Sequence, residues 1–278
     1  MTIGYSVCKE IKSLQNMHVK DAVKLRKRAE REKTKKFLIE GYRELLRACA
    51  SGLKMEYLFV SPDLFLGENE EDLIEKIFSM GAEVIFCSSS VFHKISYRDR
   101  PDGLLAIAEH IRCRLEDLDG SVKNKGAPFL LVAESIEKPG NLGTILRSAD
   151  AVGVDGVIVC DRCTDIHNPN VVRASVGTLF TQPVVEAQGN AVFHWLNEHD
   201  IMIVAATPSA QMEYTHMDGN RGIAVVVGSE QYGLTDGWMK GACCRVKIPM
   251  MGMADSLNVA TATSLLLYEV LRQRRCSN

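Results

Sequence analysis

Three segments of this 278-residue chain set polar and charged residues where glycine or proline turns the backbone sharply. The first, Glu137-Lys138-Pro139-Gly140-Asn141-Leu142-Gly143-Thr144-Ile145-Leu146-Arg147, follows an apolar run over 129–133. A strand, a glycine-bearing turn and a helix can hold an anion on free backbone N–H groups. The spacing is not G-x-G-x-x-G, since no third glycine follows Gly140 and Gly143, and the Gly-Lys-Ser/Thr ending of a phosphate loop is missing. Asn141 can equally cap the helix, and Arg147 alone reads as a surface arginine. The second segment ends a Val225-Val226-Val227 strand with Gly228-Ser229-Glu230, the place where open α/β sheets bind ligands. Its plainer reading is a helix cap, with Glu230 favoured by the helix dipole. In the third, Ile248-Pro249-Met250-Met251-Gly252-Met253-Ala254-Asp255-Ser256-Leu257-Asn258-Val259-Ala260, a strand end breaks at Pro249 and the chain re-enters a long helix, with Ser256 as the expected N-cap.

Other chemistries are poorly served. Cys160-x-x-Cys163 with His167 has partial zinc-ligand spacing, but no fourth ligand is evident and the pair follows a buried strand, so no metal is expected. Cys243-Cys244 reads as small apolar packing. The seven histidines are scattered, and none stands beside a serine or cysteine nucleophile motif.

The elements that must position these segments alternate between strand and helix patterns. Strands are expected at 129–133, 156–160, 182–186, 201–206 and 223–228, and helices at 141–152, 169–179, 191–197, 234–240 and 256–274. Val-Ile-Val runs without alternation suit a parallel sheet covered on both faces. Before them, 37–110 reads as a smaller α/β domain with strands at 37–41, 55–61, 83–87 and 104–108 and helices at 42–50, 70–80 and 89–95. Residues 111–127 lose apolar density and read as a linker. The expected organisation is therefore a basic arm (1–36), a small domain (37–110), a linker (111–127) and a larger domain (128–278).

Composition, 46% apolar and 24% charged, excludes a disordered chain, a fibre and a small disulfide scaffold. No apolar run approaches the ~20 residues that cross a bilayer, so no membrane is expected. The first five residues lack a basic segment leading into an apolar run, so no secretory signal is expected. Nine irregularly spaced cysteines favour a reducing compartment, and the cytoplasm is the expected location. The net charge of −2 argues against nucleic acid until it is divided. Residues 9–36 hold eleven basic and four acidic side chains, a net +7, which leaves −9 for the other 250. A charge run usually faces water; here Lys24, Arg26, Lys27, Arg28, Arg31, Lys35 and Lys36 are favoured as an RNA-contacting arm.

Taken together, N-x-G-x-x-x-R on the first helix, G-S-E after a buried strand and I-P-M-x-x-x-x-D-S-L-N-V before the last helix resemble the SpoU/TrmH family. Its members are S-adenosylmethionine-dependent RNA ribose 2′-O-methyltransferases of the SPOUT superfamily. Lys36–Gly41 and Asp102–Ala108 resemble the small ribosomal-protein-like RNA-binding domain of the rRNA-modifying branch. The resemblance implies an α/β fold whose C-terminal parallel-sheet SPOUT domain carries a deep trefoil knot, preceded by that small α/β domain. It implies a homodimer through the knotted domain, S-adenosyl-L-methionine as cofactor, and large-subunit (23S-type) ribosomal RNA as substrate. A tRNA substrate or an antibiotic-resistance methylation is the alternative within the family.

Carried over by position, the resemblance places the cofactor against Ala206, Thr207, Gly228, Ile248, Met250 and Leu257. It gives catalytic roles to Asn141, Arg147, Glu230, Ser256 and Asn258, with Glu230 expected to pair with Arg147. The family arginine is proposed to activate the 2′-OH, but guanidinium stays protonated in proteins. Stabilising the developing alkoxide charge is the alternative role for Arg147. Two readings from other classes stand beside this one. A non-catalytic RNA-binding protein that retains the knot is separated by cofactor uptake, and a nucleotide-dependent oxidoreductase is disfavoured by the absent G-x-G-x-x-G.

Overall fold

The structure, a computed structural model, describes residues 9–161 and 164–276. Residues 1–5, which carry the secretory-signal reading, and Cys163 of the partial zinc spacing lie outside them. The chain divides into two compact units. One contains the residues up to Ile111 together with Asp165–Thr181, and the other contains Arg112–Thr164 and the residues from Gln182 onward.

The first unit is built on a five-stranded mixed sheet in the order β1 (Lys9–Ile11), β4 (Glu83–Cys87), β3 (Met55–Val60), β5 (Leu104–Glu109), β2 (Lys36–Glu40). Strand β5 runs antiparallel to both neighbours, pairing Leu105 with Phe59 and Ile107 with Leu38. Helices α1 (Met17–Lys24), α2 (Arg28–Thr34), α3 (Tyr42–Ala50), α4 (Glu70–Ser79), α5 (Ser89–Ile95) and α8 (Pro169–Ala174) complete it. The expected basic arm is not an appendage from Lys9 onward. β1 extends the sheet, and Val19, Ala22 and Leu25 form an apolar stripe at helical spacing that enters the core beside Phe59 and Phe92. The flanking lysines and arginines mask that stripe in the sequence.

Arg31, expected to face RNA, is 1% exposed. Its Nη2 lies 2.6 Å from Asp165 Oδ2, and its Nη1 donates to the carbonyls of Leu25 and Arg26 at 2.8 Å. Asp165 Oδ1 accepts the His167 backbone N–H at 2.8 Å, and the His167 ring stacks on His110 with centroids 3.9 Å apart. Burial alone would raise the Asp165 carboxyl, but hydrogen bonds from His167 and Arg31 together outweigh it and hold it well below the usual range. Burial, reinforced by the neighbouring His167, pushes His110 down to about 4.

The second unit is a seven-stranded, all-parallel sheet in the order β10 (Met212–Glu213), β12 (Cys244–Lys247), β9 (Met202–Ala206), β11 (Ile223–Val227), β6 (Phe129–Glu134), β7 (Gly156–Cys160), β8 (Val184–Ala187). Central strand β11 pairs Val225 with Leu131 of β6 and with Val204 of β9. Its helices are α6 (Asp119–Lys123), α7 (Pro139–Val152), α9 (Gly189–Glu198), α10 (Asp236–Gly241) and α11 (Val259–Cys276). The expected linker is part of this unit, because Leu118 and Val122 enter the core with Leu130, Ile158 and Trp195. Residues Asp165–Thr181, expected in the larger domain, belong to the first unit instead. Among the described residues no helix is long and apolar enough to cross a membrane.

Replacing Arg31 with Met leaves Asp165 buried without its counter-ion, a loss of about 3–5 kcal/mol. Hydrogen exchange in β2 and α8 should accelerate accordingly, and wild-type rates there would contradict the pairing. His110 titrates near 4 when folded against 6.5 for the free side chain, so the unfolded chain takes up protons first as the pH falls. The contribution of His110 to the stability of this unit is therefore full above 6.5 and is lost toward 4, with Asp165 extending the loss below that. Exchange protection that stays constant over this window would contradict it.

Candidate active site

Pro139 at the first position of α7 supplies a preset φ and no N–H, and so starts the helix there. Lys138 is the cap residue, which frees Asn141, inside the first turn, to reach outward. At the end of β11 the backbone reverses through Ser229–Gly233, where the Gly233 N–H donates to the Ser229 carbonyl at 2.9 Å and Gly233 has φ +69°. A Cβ on Gly228 would lie 2.5 Å from the Gly233 carbonyl carbon and 2.7 Å from Leu234 N, so only glycine allows this reversal. Buried Glu134, at the end of β6, accepts the Thr235 N–H at 2.9 Å and its hydroxyl at 2.8 Å, and so pins the far side of the turn.

These constraints deliver Glu230 to a meeting point. Its Oε1 accepts Asn141 Nδ2 at 2.7 Å and Asn258 Nδ2 at 2.8 Å, while its Oε2 lies 2.5 Å from Lys138 Nζ. Asn258 Nδ2 also reaches Asn141 Oδ1 at 3.2 Å, and Asn258 Oδ1 accepts the Ala260 N–H at 3.0 Å. Asn258, not Ser256, therefore caps the last helix, which begins at Val259. The Lys138 hydrogen bond, aided by Asn141, outweighs burial and holds Glu230 below its ordinary value, fixing it as a carboxylate.

Beside this cluster, at the C-terminal ends of β9, β11 and β12, lies a cavity of about 410 Å³. All six residues expected around the cofactor line it: Ala206, Thr207, Gly228, Ile248, Met250 and Leu257. Glu230 and Ser256 line it too, with Asn141 and Asn258 hydrogen-bonded to Glu230. The volume falls within the usual range for small-molecule sites. Val227, Ala262 and Leu266 extend the apolar wall, and Ser229 and Asp255 extend the polar rim. That mixture suits a small ligand with both apolar and polar parts.

Arg147 is exposed, outside the cavity lining, and makes no hydrogen bond or ion pair among the described residues. The expected Glu230–Arg147 pair is replaced by Glu230–Lys138. Six residues beyond Asn141, Arg147 lies about 9 Å further along the helix and about 120° around it. Sequence reasoning assigned Lys138 no role, although its i,i+3 spacing from Asn141 sets both on one helix face.

The basic candidates divide. Lys24 pairs with Asp21 at 2.9 Å and Arg28 with Glu32 at 2.6 Å, Lys36 pairs with Glu56, and Arg26 donates to the Lys94 and Ser96 carbonyls. Lys27 and Lys35 are exposed, and Arg31 is buried. Among the described residues no group of three His, Cys, Asp or Glu side chains is arranged to hold a metal ion.

The model of the SpoU rRNA Methylase family matches residues 128–268, and that of the MRM3-like substrate binding domain matches residues 16–106. The second match includes α1 and α2. The 23S rRNA (guanosine(2553)-2′-O)-methyltransferase RlmP of Bacillus subtilis is 28% identical over 263 residues, covering 94% of this chain and 99% of that protein. An AdoMet-bound rRNA methyltransferase from Sinorhizobium meliloti superposes with a TM-score of 0.86 at 30% identity, over 95% of this chain and 98% of that one. A solved RNA 2′-O ribose methyltransferase gives 0.82 at 36% identity, over 96% and 99%.

Gly228→Ala forces the Gly228–Leu234 turn open. The expected result is at least ~10-fold weaker binding of S-adenosylmethionine by calorimetry, from misplacement of the cavity wall, with the sheet's circular dichroism retained. Unaltered affinity would show that the cavity is not the cofactor site.

Proposed function

The chain belongs to the SpoU rRNA methylase family, and we propose that it transfers a methyl group from S-adenosyl-L-methionine to a ribose 2′-OH of ribosomal RNA, most specifically of the large subunit. The observation that carries this reading is the cavity, whose lining joins G-S-E after β11 to the Ile248–Asn258 loop and adjoins Asn141 on α7.

Bound there, S-adenosylmethionine supplies an electrophilic methyl group whose departure leaves a neutral thioether. The protein's share is alignment and management of the hydroxyl proton. Ala206, Thr207, Gly228, Ile248, Met250 and Leu257 would hold the cofactor. Glu230 is already engaged by Lys138, Asn141, Asn258 and the Val259 backbone N–H, so its part is to orient Asn141 and Asn258. Those amides and the Ser256 hydroxyl present donors and acceptors to the ribose. Arg147 stabilises alkoxide charge as the 2′-OH proton passes to solvent water, and grips the adjacent phosphate. Its exposure and its lack of a partner among the described residues leave it available for RNA.

The reading extends to a homodimer through the knotted domain expected from the resemblance. Met251 and Met253 are 96% and 99% exposed, and Tyr232 and Tyr268 are also open to solvent, apolar side chains that a second copy would cover. Such a dimer would bring residues of both copies near each site. In this reading the exposed Lys27 and Lys35 of the first unit are phosphate contacts, and the protein works in the cytoplasm.

Labelled S-adenosylmethionine incubated with rRNA from a strain lacking the protein should yield a 2′-O-methylnucleotide in the large-subunit RNA. Label in tRNA alone would overturn the substrate assignment. Arg147→Ala should bind the cofactor normally yet lose at least ~100-fold in transfer, about 3 kcal/mol of barrier. Near-normal turnover would remove its role.

A further inference from the structure

The Glu230 carboxylate uses its two oxygens unequally. Oε1 receives both amides, from Asn141 at 2.7 Å and from Asn258 at 2.8 Å, whereas Oε2 receives Lys138 Nζ at 2.5 Å. The last torsion of a glutamate is broad and nearly two-fold. The Val259 backbone N–H also acts on this carboxylate, but among the described residues Lys138 is its one charged donor, and it holds Oε2 apart from the oxygen that receives the amides. Lys138 and Asn141 stand one helical turn apart at the start of α7, so a single helix end grips the carboxylate from both sides.

We propose that Lys138 is a positioning residue for methyl transfer, its ammonium locking Glu230 in the orientation that presents one oxygen to both the Asn141 and Asn258 amides. This rests on the proposed function of the site. The Lys138 side chain is 71% exposed and that of Glu230 27%. An ion pair so open to water contributes only about 0–1 kcal/mol to stability, so its consequence lies in orientation. Of the other titratable groups nearby, Tyr232, Lys247 and Asp255 line the same cavity and Glu137 precedes Lys138 in the chain. None makes a hydrogen bond or ion pair with Glu230 among the described residues, so Lys138 is the sole cation in contact with it there. The Lys138 contact accordingly leads the causes that hold Glu230 below its ordinary value.

The test compares the wild-type chain with Lys138→Met and Lys138→Arg. The side-chain amide NMR signals of Asn141 and Asn258, followed against pH in the free protein, report the titration of Glu230. In Lys138→Met the signals should move and their midpoint should rise toward 4.5, the ordinary glutamate value; Lys138→Arg should keep the wild-type midpoint. At saturating cofactor and rRNA, kcat should fall about tenfold in Lys138→Met and recover to within about twofold in Lys138→Arg, with KM for RNA unchanged. Unaltered amide signals and kcat in Lys138→Met would overturn the proposal. So would a raised KM and a weaker salt dependence with unaltered amides, which would make Lys138 a phosphate contact instead. If wild-type protein transfers no methyl group, the proposed function fails and the role of Lys138 with it. If wild type is active and Lys138→Met matches it, only the role of Lys138 is lost.

Discussion

One carboxylate organises the cavity end of the parallel sheet. Glu230 draws together the start of α7, through Lys138 and Asn141, and the start of α11, through Asn258. Charge-assisted hydrogen bonds of this kind are shorter and about twice as strong as neutral ones. Glu230 can serve only because the turn bearing it is fixed at both ends. Gly228 permits the close return of Gly233, and Glu134 fastens Thr235. Asn258 in turn is committed on its other side to the Ala260 N–H. Rigid elements, and not loops alone, therefore hold the polar groups beside the cavity.

This arrangement separates two charges that the sequence motifs alone would pair. With Glu230 satisfied by Lys138, the Arg147 guanidinium remains exposed on a different part of α7. An arginine neutralised by a neighbouring carboxylate would be a poor partner for a phosphate or an alkoxide; an unpaired one is a good one. A similar economy operates in the first unit. The buried Arg31–Asp165 pair is structural and holds Asp165–Thr181 within that unit, while Lys27 and Lys35 stay at the surface.

Much of this was legible in the residues. Val-Ile-Val runs marked the central parallel strands, because a sheet buried on both faces has no reason to alternate. The two- and four-residue strands β10 and β12 were too short to show a period. In the N-terminal segment the stripe of Val19, Ala22 and Leu25 was outweighed by eleven basic side chains, so a folded region read as an arm. Nothing local to Asp165–Thr181 reveals that it belongs with the first unit, since the contacts that place it, to Arg31 and His110, are far away in sequence. At the site, the six residues expected around the cofactor line one cavity, because the motifs lie at strand ends. The partner of Glu230 was misassigned for a geometric reason. The six residues from Asn141 to Arg147 carry the arginine about 120° around the helix, whereas Lys138, three residues before Asn141, meets Glu230 together with it.

The central claim is that Glu230 and the amides it holds act as one unit. A double-mutant cycle between Asn141→Ala and Glu230→Gln, read by single-turnover methyl transfer to rRNA at saturating S-adenosylmethionine, tests it most directly. Residues in one hydrogen-bond network show coupling of about 0.5–3 kcal/mol. The account predicts coupling in the upper part of that range, with the double variant no slower than the slower single variant. Strictly additive losses would show that the two side chains act independently, and would contradict it.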